Sequence, residues 1–387
     1  DPAAYANPVP MPTFRSLPEA TGEPLSVLPE GEREDPPGAG ERPAVTAPDI
    51  VEQTLTNGIE VVAAQTGDVP IATMTVLVPG GASTDAREKA GVAQFAAQLA
   101  DQGTADMSAQ EIAARLESLG ASFGANAGRD GTFFSLTAPV ANMEAAGEIL
   151  SSIVRSAQYP QAELDRERKR AIDGLLVEMK DPGALAGKVA TLAMYGDAPY
   201  GSQPGGTAES LAAITREDLL AHRQGWWHPA ETKIIVSGGI APAKATALAD
   251  QLFGDWQVDA PAPTPVADPA GEAQPVRTIV IDLPEAGQAA VLAAVRAIPR
   301  DDERYYALEL SNAVLGGGSS GRLFEEIRTK RSLSYGAYSG FADRSDDSVL
   351  TASAQTKNET ADEVVQIFLD EFERLGTEPL DEALLDK

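Results

Sequence analysis

An internal repeat restricts the fold of this chain more than any other feature of its sequence. The run Ser122–Ala125 (SFGA) returns 212 positions later as Ser334–Ala337 (SYGA), and each copy is followed two residues later by a small residue and Gly. Strand-like and helix-like segments occur in the same order around both copies. The repeat therefore predicts two homologous α/β units in tandem, the second shorter than the first. A fold predicted in this way names no activity.

Local signals place several elements of these units. Asn57-Gly58 between two alternating runs is a strong signal for a β-hairpin. Ser108 and Glu111 form a capping box at the start of a helix that Gly120 ends. In the second unit, the apolar run at 276–284 is interpreted as a strand.

The chain divides by composition into an arm at 1–48, a first domain at 49–257, a Pro/Ala linker at 258–275 and a second domain at 276–387. Proline recurs every few residues in the arm, so the arm cannot propagate a helix or a strand ladder and is predicted to be extended. Two interpretations stay open, a disordered tail and a strap that lies across a partner. The strap would be anchored by its large apolar side chains, Phe14, Leu17, Leu25, Val27 and Leu28.

The charge of the chain excludes some classes of function. Acidic residues outnumber basic ones 58 to 30, giving a formal charge of −28, and such a field repels nucleic-acid phosphates and anionic lipid heads. No apolar run approaches the roughly 18 residues of a membrane-spanning helix. The chain has no cysteine, which excludes disulfides and thiolate metal ligands. Its first residues, DPAAYANP, are compatible with a mature end after export, so a periplasmic location is expected.

Few residues offer catalytic chemistry by themselves. His222 and His228 are the only imidazoles, and no carboxylate lies at a spacing that would complete a zinc site, so both are interpreted as structural or surface residues. The run GGGSSG at 316–321 is followed by Arg322 instead of the Lys of a phosphate-binding loop, which argues against a nucleotide. Its backbone has no side chains in the way and is predicted to be open to contact with a peptide.

The helix-like run GVAQFAAQLADQGT at 91–104 carries Gln94 and Gln98 one turn apart on one face. Together with the capped helix and the run GASFGANAGRDGTFFSLTAP at 120–139, it resembles the pitrilysin-type (inverzincin) zinc peptidases, including the mitochondrial processing peptidase. In that family an H-x-x-E-H helix supplies two zinc ligands and a general base. On this chain, the resemblance places Gln94 and Gln98 at the two His and Ala97 at the Glu.

The same resemblance places the family's third zinc ligand, a Glu, at Gly174, and an earlier helical Glu at Glu167. A carboxamide is a poor zinc ligand compared with imidazole, and alanine cannot take a proton from water. The resemblance therefore implies that this chain has lost its metal site and carries no cofactor of its own. An alternative for the two glutamines, that they are ordinary solvated positions, leaves this loss unchanged.

The second domain keeps a different part of the family's pattern. Arg328 and Tyr335 have the R-x6-Y spacing of the family's substrate-positioning pair. This implies that Arg328 holds a peptide carbonyl or carboxylate and that Tyr335 donates to the developing oxyanion. Gly316, Gly317 and Gly318 resemble the glycine-rich segment of the non-catalytic processing-peptidase subunit, which is implicated in substrate binding. The structural alternatives are a surface arginine and a half-buried strand tyrosine.

The resemblance implies an α+β fold of two homologous domains, each a mostly antiparallel sheet packed with helices, in addition to the Pro-rich arm. It favours a non-catalytic subunit of a heterodimeric zinc metallopeptidase. A homologous partner would carry H-x-x-E-H and the zinc, and this chain would lend Arg328 and Tyr335 in trans to position an unstructured peptide. An acidic wall of the shared chamber would favour basic peptides. The alternative is a structural core subunit of a larger complex, and an enzyme active by itself is the weakest hypothesis.

Overall fold

A computed structural model of the chain describes residue 32 and residues 46–380. The arm predicted at 1–48 lies outside these residues except for positions 32 and 46–48.

Six strands of the first half form one sheet. They are β1 (Ile50–Thr54), β2 (Glu60–Gln65), β3 (Ile71–Pro79), β4 (Ser122–Ala127), β5 (Gly131–Pro139) and β6 (Lys233–Gly238). Their order across the sheet is β1-β2-β6-β3-β5-β4, and every pairing is antiparallel except that of β2 with β6. Alternate residues of β3, from Ala72 to Val78, are buried, so one face of the sheet is apolar.

Eight helices belong to the first half. They are α1 (Val92–Gln98), α2 (Ala109–Ser118), α3 (Met143–Ser156), α4 (Gln161–Glu178), α5 (Pro182–Tyr195), α6 (Ala208–Ala213), α7 (Arg216–Trp226) and α8 (Pro242–Phe253). Phe95 of α1, Ile149 of α3 and Leu252 of α8 share one buried cluster with the strands. The two local predictions are confirmed, because β1 and β2 form a hairpin around Asn57-Gly58 and α2 begins with the capping box of Ser108.

The second half repeats part of this arrangement on a smaller scale. Its strands are β7 (Ala289–Ala297), β8 (Ser334–Asp343) and β9 (Ser348–Thr356), and its helices are α9 (Tyr305–Leu315), α10 (Arg322–Phe324) and α11 (Ala361–Thr377). The sheet order is β7-β9-β8, all antiparallel. Leu323, Ala337, Ala352 and Phe368 lie in its core. The prediction of an α+β fold with two related, mostly antiparallel units is confirmed.

The strand predicted at 276–284 is wrong, because the structure has no helix or strand between 254 and 288. Val276 and Val280 are almost fully exposed. In the first half, β2 pairs with β6, which lies between β2 and β3. Within residues 46–380 no strand takes the place of β6 beside β7, so the apolar pattern at 276–284 has no ladder partner.

Hydrogen bonds join the turns of the two homologous hairpins. Tyr200 is fully buried, and its hydroxyl donates to Asp130 Oδ1 (2.5 Å) and lies 2.9 Å from Ser345 Oγ. The backbone N–H of Ser345 donates to Asp130 Oδ2 (2.9 Å). Burial raises the pKa of Tyr200 further above its ordinary range, so the hydroxyl remains a donor. Tyr200, Asp130 and Ser345 are called the turn clasp below.

A second buried set lies beside the turn clasp. Asp347 accepts through Oδ2 from the hydroxyl of Tyr195 (2.8 Å) and from Nε of Arg296 (2.9 Å). The guanidinium of Arg344 lies over the ring of Tyr195, 4.5 Å from its centroid. The β8–β9 turn is thus fixed to the first half by several polar contacts. No helix within residues 46–380 is both long and apolar enough to cross a bilayer.

Candidate functional site

Gln94 links helix α1 to the edge strand β4. Its Nε2 donates to Asn126 Oδ1 (3.1 Å), and its Oε1 accepts the backbone N–H of Ala127 (3.2 Å). Both partners lie on β4, which is the last strand of the sheet on that side. Both polar atoms of the carboxamide therefore have a partner on β4, which an ordinary solvated glutamine would not have.

The contact with Ala127 occupies a backbone group at the free edge of β4. In an antiparallel pair, every second residue of an edge strand turns its N–H and C=O away from its neighbour. The N–H of Ala127 points away from β5, because it donates to Gln94. Ala127 and, two residues earlier, Ala125 are therefore among the residues whose backbone groups face outward. In the second half a backbone carbonyl takes the role of the Gln94 side chain. Ser339, the counterpart of Ala127 in the repeat, donates its N–H to the carbonyl of Gly316 (2.8 Å).

The other positions that the resemblance assigns to a lost zinc site are unsuited to a cation. Ala97 is only 1% exposed and packs with Ala93 and Ala127, so a glutamate at 97 would have to displace this cluster. Gln98 is exposed on the last turn of α1, and Gly174 is exposed on α4 with open space where a side chain would begin. Within residues 46–380 no three His, Cys, Asp or Glu side chains converge on a possible metal position. The donor set on this chain does not fit zinc.

Asp85 holds the start of α1 in place. Its carboxylate accepts the backbone N–H groups of Gly91 (2.9 Å) and Ala93 (3.0 Å). Burial raises the pKa of Asp85 to about 7, although these backbone hydrogen bonds favour the ionised form. The helix that carries the glutamines is thus anchored at its N-terminus by Asp85 and along its exposed face by Gln94.

The two histidines lie in structural positions, as the sequence predicts. His222 is buried on α7, and its Nε2 lies 3.2 Å from the carbonyl oxygen of Gly80. Burial lowers the pKa of His222 to about 4, so the ring is neutral at physiological pH. His228 accepts the N–H of Ala230 through Nδ1, and its Nε2 lies 3.1 Å from the carbonyl oxygen of Ala260.

The structure brings Arg328 and Tyr335 into contact on two irregular elements. The guanidinium carbon of Arg328 lies 4.5 Å from the centroid of the Tyr335 ring, which is 86% exposed. Arg328 belongs to a π-helical turn at Glu325–Thr329, in which the N–H of Lys330 donates to the carbonyl of Glu325 (2.9 Å). Such turns are frequent at functional sites.

Tyr335 lies on a β-bulge. The register between β8 and β9 shifts between Ser334 and Ala337. Oγ of Ser334 lies 2.8 Å from the carbonyl oxygen of Gly336 and 2.6 Å from that of Gln355, and it can donate its one proton to either across the bulge. Bulges re-aim side chains next to active sites. The irregular turn and the bulge together bring the pair into contact, which neither a regular helix nor a regular strand explains.

The glycine run is more tightly packed than its sequence indicates. Gly316 is buried, and a side chain there would meet Ser339 within 2.7 Å. A side chain at Gly317 would meet the backbone of Ala313 within 2.9 Å, whereas Gly318 faces open space. Of the three predicted contact positions, Gly316 is buried, whereas Gly317 is exposed and Gly318 partly exposed, and only Gly318 has room for a side chain.

Two aromatic residues that the sequence reasoning missed lie close along the chain to Arg328 and Tyr335. Phe324 and Tyr338 have ring centroids 5.8 Å apart, with planes tilted by 42°. Phe324 ends α10 directly before the π-turn, and Tyr338 follows Tyr335 on β8. The signal in the sequence was the second aromatic of SYGAYSGF, an exposed position in a strand, but its partner on α10 is fixed only by the fold.

Two family profiles match this chain. Residues 60–191 match the profile of the insulinase family (peptidase family M16), and residues 213–387 match the profile of the peptidase M16 inactive domain. An uncharacterised zinc protease of Mycobacterium leprae is 25% identical over 89% of this chain and 78% of its own length. An uncharacterised zinc protease of Streptomyces coelicolor is 25% identical over 75% of this chain and 64% of its own length.

Solved structures show the same fold. A peptidase M16 inactive domain from Pseudomonas fluorescens superimposes with a TM-score of 0.79 at 26% identity, covering 87% of this chain and 82% of that one. A protease from Helicobacter pylori gives 0.77 at 20% identity, covering 88% and 82%. The chain belongs to the M16 (insulinase) family of peptidases, and its second half matches the inactive domain of that family.

Proposed function

We propose that this chain is the non-catalytic, peptide-positioning subunit of a two-chain zinc peptidase. The observation that carries the proposal is an asymmetry between the halves. The positions of a zinc site hold Gln94, Ala97, Gln98 and Gly174, and Gln94 is committed to strand β4. The pair expected to position a substrate is in contact and exposed on the second half.

Arg328 and Tyr335 supply binding and not bond cleavage in this proposal. The guanidinium offers a fork of donors to a peptide carbonyl or carboxylate, and the exposed hydroxyl of Tyr335 can donate to the oxyanion that forms on the scissile carbonyl. A homologous partner with H-x-x-E-H would provide zinc and the general base. The glycine run, with Gly318 open beside β8, would contact the peptide backbone.

The test combines the purified chain with an M16 chain of the same organism that retains H-x-x-E-H, and measures cleavage of an unstructured peptide. Arg328→Ala and Tyr335→Phe are each expected to lower turnover of the pair by about 100-fold, because each removes a contact to the transition state. Arg300→Ala is the matched control, since its guanidinium also lies over an exposed ring, 5.2 Å from the centroid of Tyr306. Unchanged turnover in Arg328→Ala and Tyr335→Phe would show that the pair has no such role.

A second candidate is a structural core subunit of a larger complex. It is favoured by the likeness to a chain of a complex III dimer from Candida albicans, with a TM-score of 0.69 at 16% identity over 87% of this chain and 79% of that one. At this identity the likeness is one of fold alone. Stable recovery of the chain in a large membrane complex, with no effect of Arg328→Ala on any peptide cleavage, would favour this candidate.

A further inference from the structure

We propose that Gln94 closes the free edge of β4 to extended peptides, so that a peptide engages this chain only at its second half. The proposal rests on the peptide-positioning function above and adds a second peptide-binding surface, which is blocked as long as the side chain of Gln94 holds Ala127. The ligand of this surface would be an extended peptide that adds to the sheet as a strand.

The edge of β4 has none of the usual protection against another strand. Its six residues read SFGANA, without a charged residue or a proline, and its register with β5 is continuous, so no bulge interrupts it. Charges, prolines and bulges are the features with which proteins keep edge strands from pairing. The opposite edge strand, β1, carries Glu52 and follows Pro48. The edge of β4 therefore needs a different guard.

Two side-chain amides occupy the outward backbone groups at the end of β4. Oε1 of Gln94 accepts the N–H of Ala127 (3.2 Å), and Nδ2 of Asn126 donates to the carbonyl of Ala127 (3.3 Å). Nε2 of Gln94 donates to Oδ1 of Asn126 (3.1 Å), which closes the set. Gln94 and Asn126 are called the amide clip below. A carboxamide has a carbonyl and N–H donors, as a peptide group does, so the clip takes the place of an added strand at Ala127.

Helix α1 brings the clip to the strand through small residues. Ala93 and Ala97 are buried against Ala127, so the helix lies close enough for Gln94 to reach the backbone of β4. The residues at 123 and 125 face outward like Ala127, because outward groups recur at every second residue of an edge strand. A peptide that paired with them would lose its hydrogen bonds at Ala127 and meet Gln94. The remaining stretch is shorter than the strands that sheets usually contain.

The experiment measures binding of a short, labelled peptide of alternating Ser and Val by fluorescence anisotropy. Every variant is the full chain and also carries Arg328→Ala, which removes the contribution of the second half. Gln94→Ala is expected to bind the peptide about tenfold more tightly than Arg328→Ala alone, because hydrogen bonds at Ala127 become available to it. In this variant the peptide should also slow hydrogen exchange at Ala125 and Ala127.

Matched variants separate the clip from a general loosening of the fold. Gln94→Glu keeps the acceptor for the N–H of Ala127 and should leave the edge closed. Gln98→Ala removes the same side chain one turn further along α1 and should change nothing. Asn126→Ala removes the other half of the clip and should give part of the gain. A peptide in which every backbone N–H is methylated lacks the donors for strand pairing and should show no gain in any variant.

Equal binding by Gln94→Ala and its parent, or a gain that the methylated peptide shares, would overturn the proposal. Slowed exchange at Ala125 when the peptide is added to the unaltered chain would overturn it as well, because the edge would then already be open. Self-association of Gln94→Ala without a gain in peptide binding would also overturn it, in favour of a guard against a second copy. The positioning function is judged separately, by whether Arg328→Ala weakens binding when Gln94 is intact.

Discussion

The turn clasp gives a stability prediction whose size follows from its contacts. Asp130 accepts two hydrogen bonds across the halves, one from the buried hydroxyl of Tyr200 and one from the N–H of Ser345. A hydrogen bond to a charged group contributes about 1.5–3 kcal/mol. Water replaces part of this contribution because Asp130 is itself exposed, and Tyr200 keeps its contact with Oγ of Ser345 (2.9 Å). Asp130→Ala is therefore expected to lower the free energy of unfolding by about 2 kcal/mol.

Asp130→Asn keeps one carbonyl oxygen as an acceptor and should lose about half as much. The assay is urea-induced unfolding followed by tryptophan fluorescence, with hydrogen exchange at Ser345 as a local readout. The control is Asp68→Ala, another exposed aspartate, which makes no hydrogen bond or ion pair within residues 46–380 and should stay within about 0.5 kcal/mol of the unaltered chain. If Asp130→Ala behaves like this control, the clasp does not hold the halves together and the reasoning is wrong.

Four further predictions concern the first half. Burial lowers the pKa of His222 to about 4, so its neutral form stabilises the fold above pH 6.5, and this contribution is lost as the pH falls from about 6.5 to about 4; the urea midpoint should vary less over this window in His222→Gln. Burial raises the pKa of Asp85 to about 7, so its protonated form stabilises the fold at low pH, and this contribution to stability is lost as the pH rises from about 4 to about 7. In Asp85→Asn this loss of stability should be absent. Gln94→Ala should lower the free energy of unfolding by about 1–2 kcal/mol and speed hydrogen exchange at Ala127. Unchanged exchange at Ala127 would show that solvent already satisfies that N–H. Ala97→Glu should lower the free energy of unfolding by about 2–4 kcal/mol, because it places a carboxylate in a closely packed alanine cluster; an unchanged melting temperature would contradict this packing.

Local signals in the sequence predicted the elements that depend on local chemistry. The capping box of Ser108 and the Asn57-Gly58 turn need only neighbouring residues, so both could be predicted. The place of β6 between β2 and β3 depends on pairing with residues more than 150 positions away, and no pattern within β6 indicates it. The apolar run at 276–284 shows the opposite. Its residues have the pattern of a strand, but they form no strand because no neighbouring strand pairs with them.

The candidate site also has features that the sequence could predict and features that it could not. The spacing of Arg328 and Tyr335 could be seen in the sequence, but the π-turn and the bulge that bring them together could not, because each is a one-residue departure from regular hydrogen bonding. The sequence could predict that Gln94 takes the place of a family histidine, and this stays a prediction, whereas the hydrogen bonds of Gln94 to Asn126 and Ala127 require β4 to lie beside α1. Whether the pair and the glycine run act on a peptide stays a prediction.

The π-turn at Glu325–Thr329 also sets a limit on how this chain can tolerate deletions. Removing one residue from the turn would let the backbone relax into ordinary α-helical bonding, which is the more favourable local form. A π-turn holds one more residue than an α-helical turn of similar length, so the side chains after the deletion would keep nearly their directions and only those within the turn would move. Arg328, which lies within the turn, would leave its place over the ring of Tyr335 although the shortened backbone became more regular, so this contact depends on the extra residue of the turn.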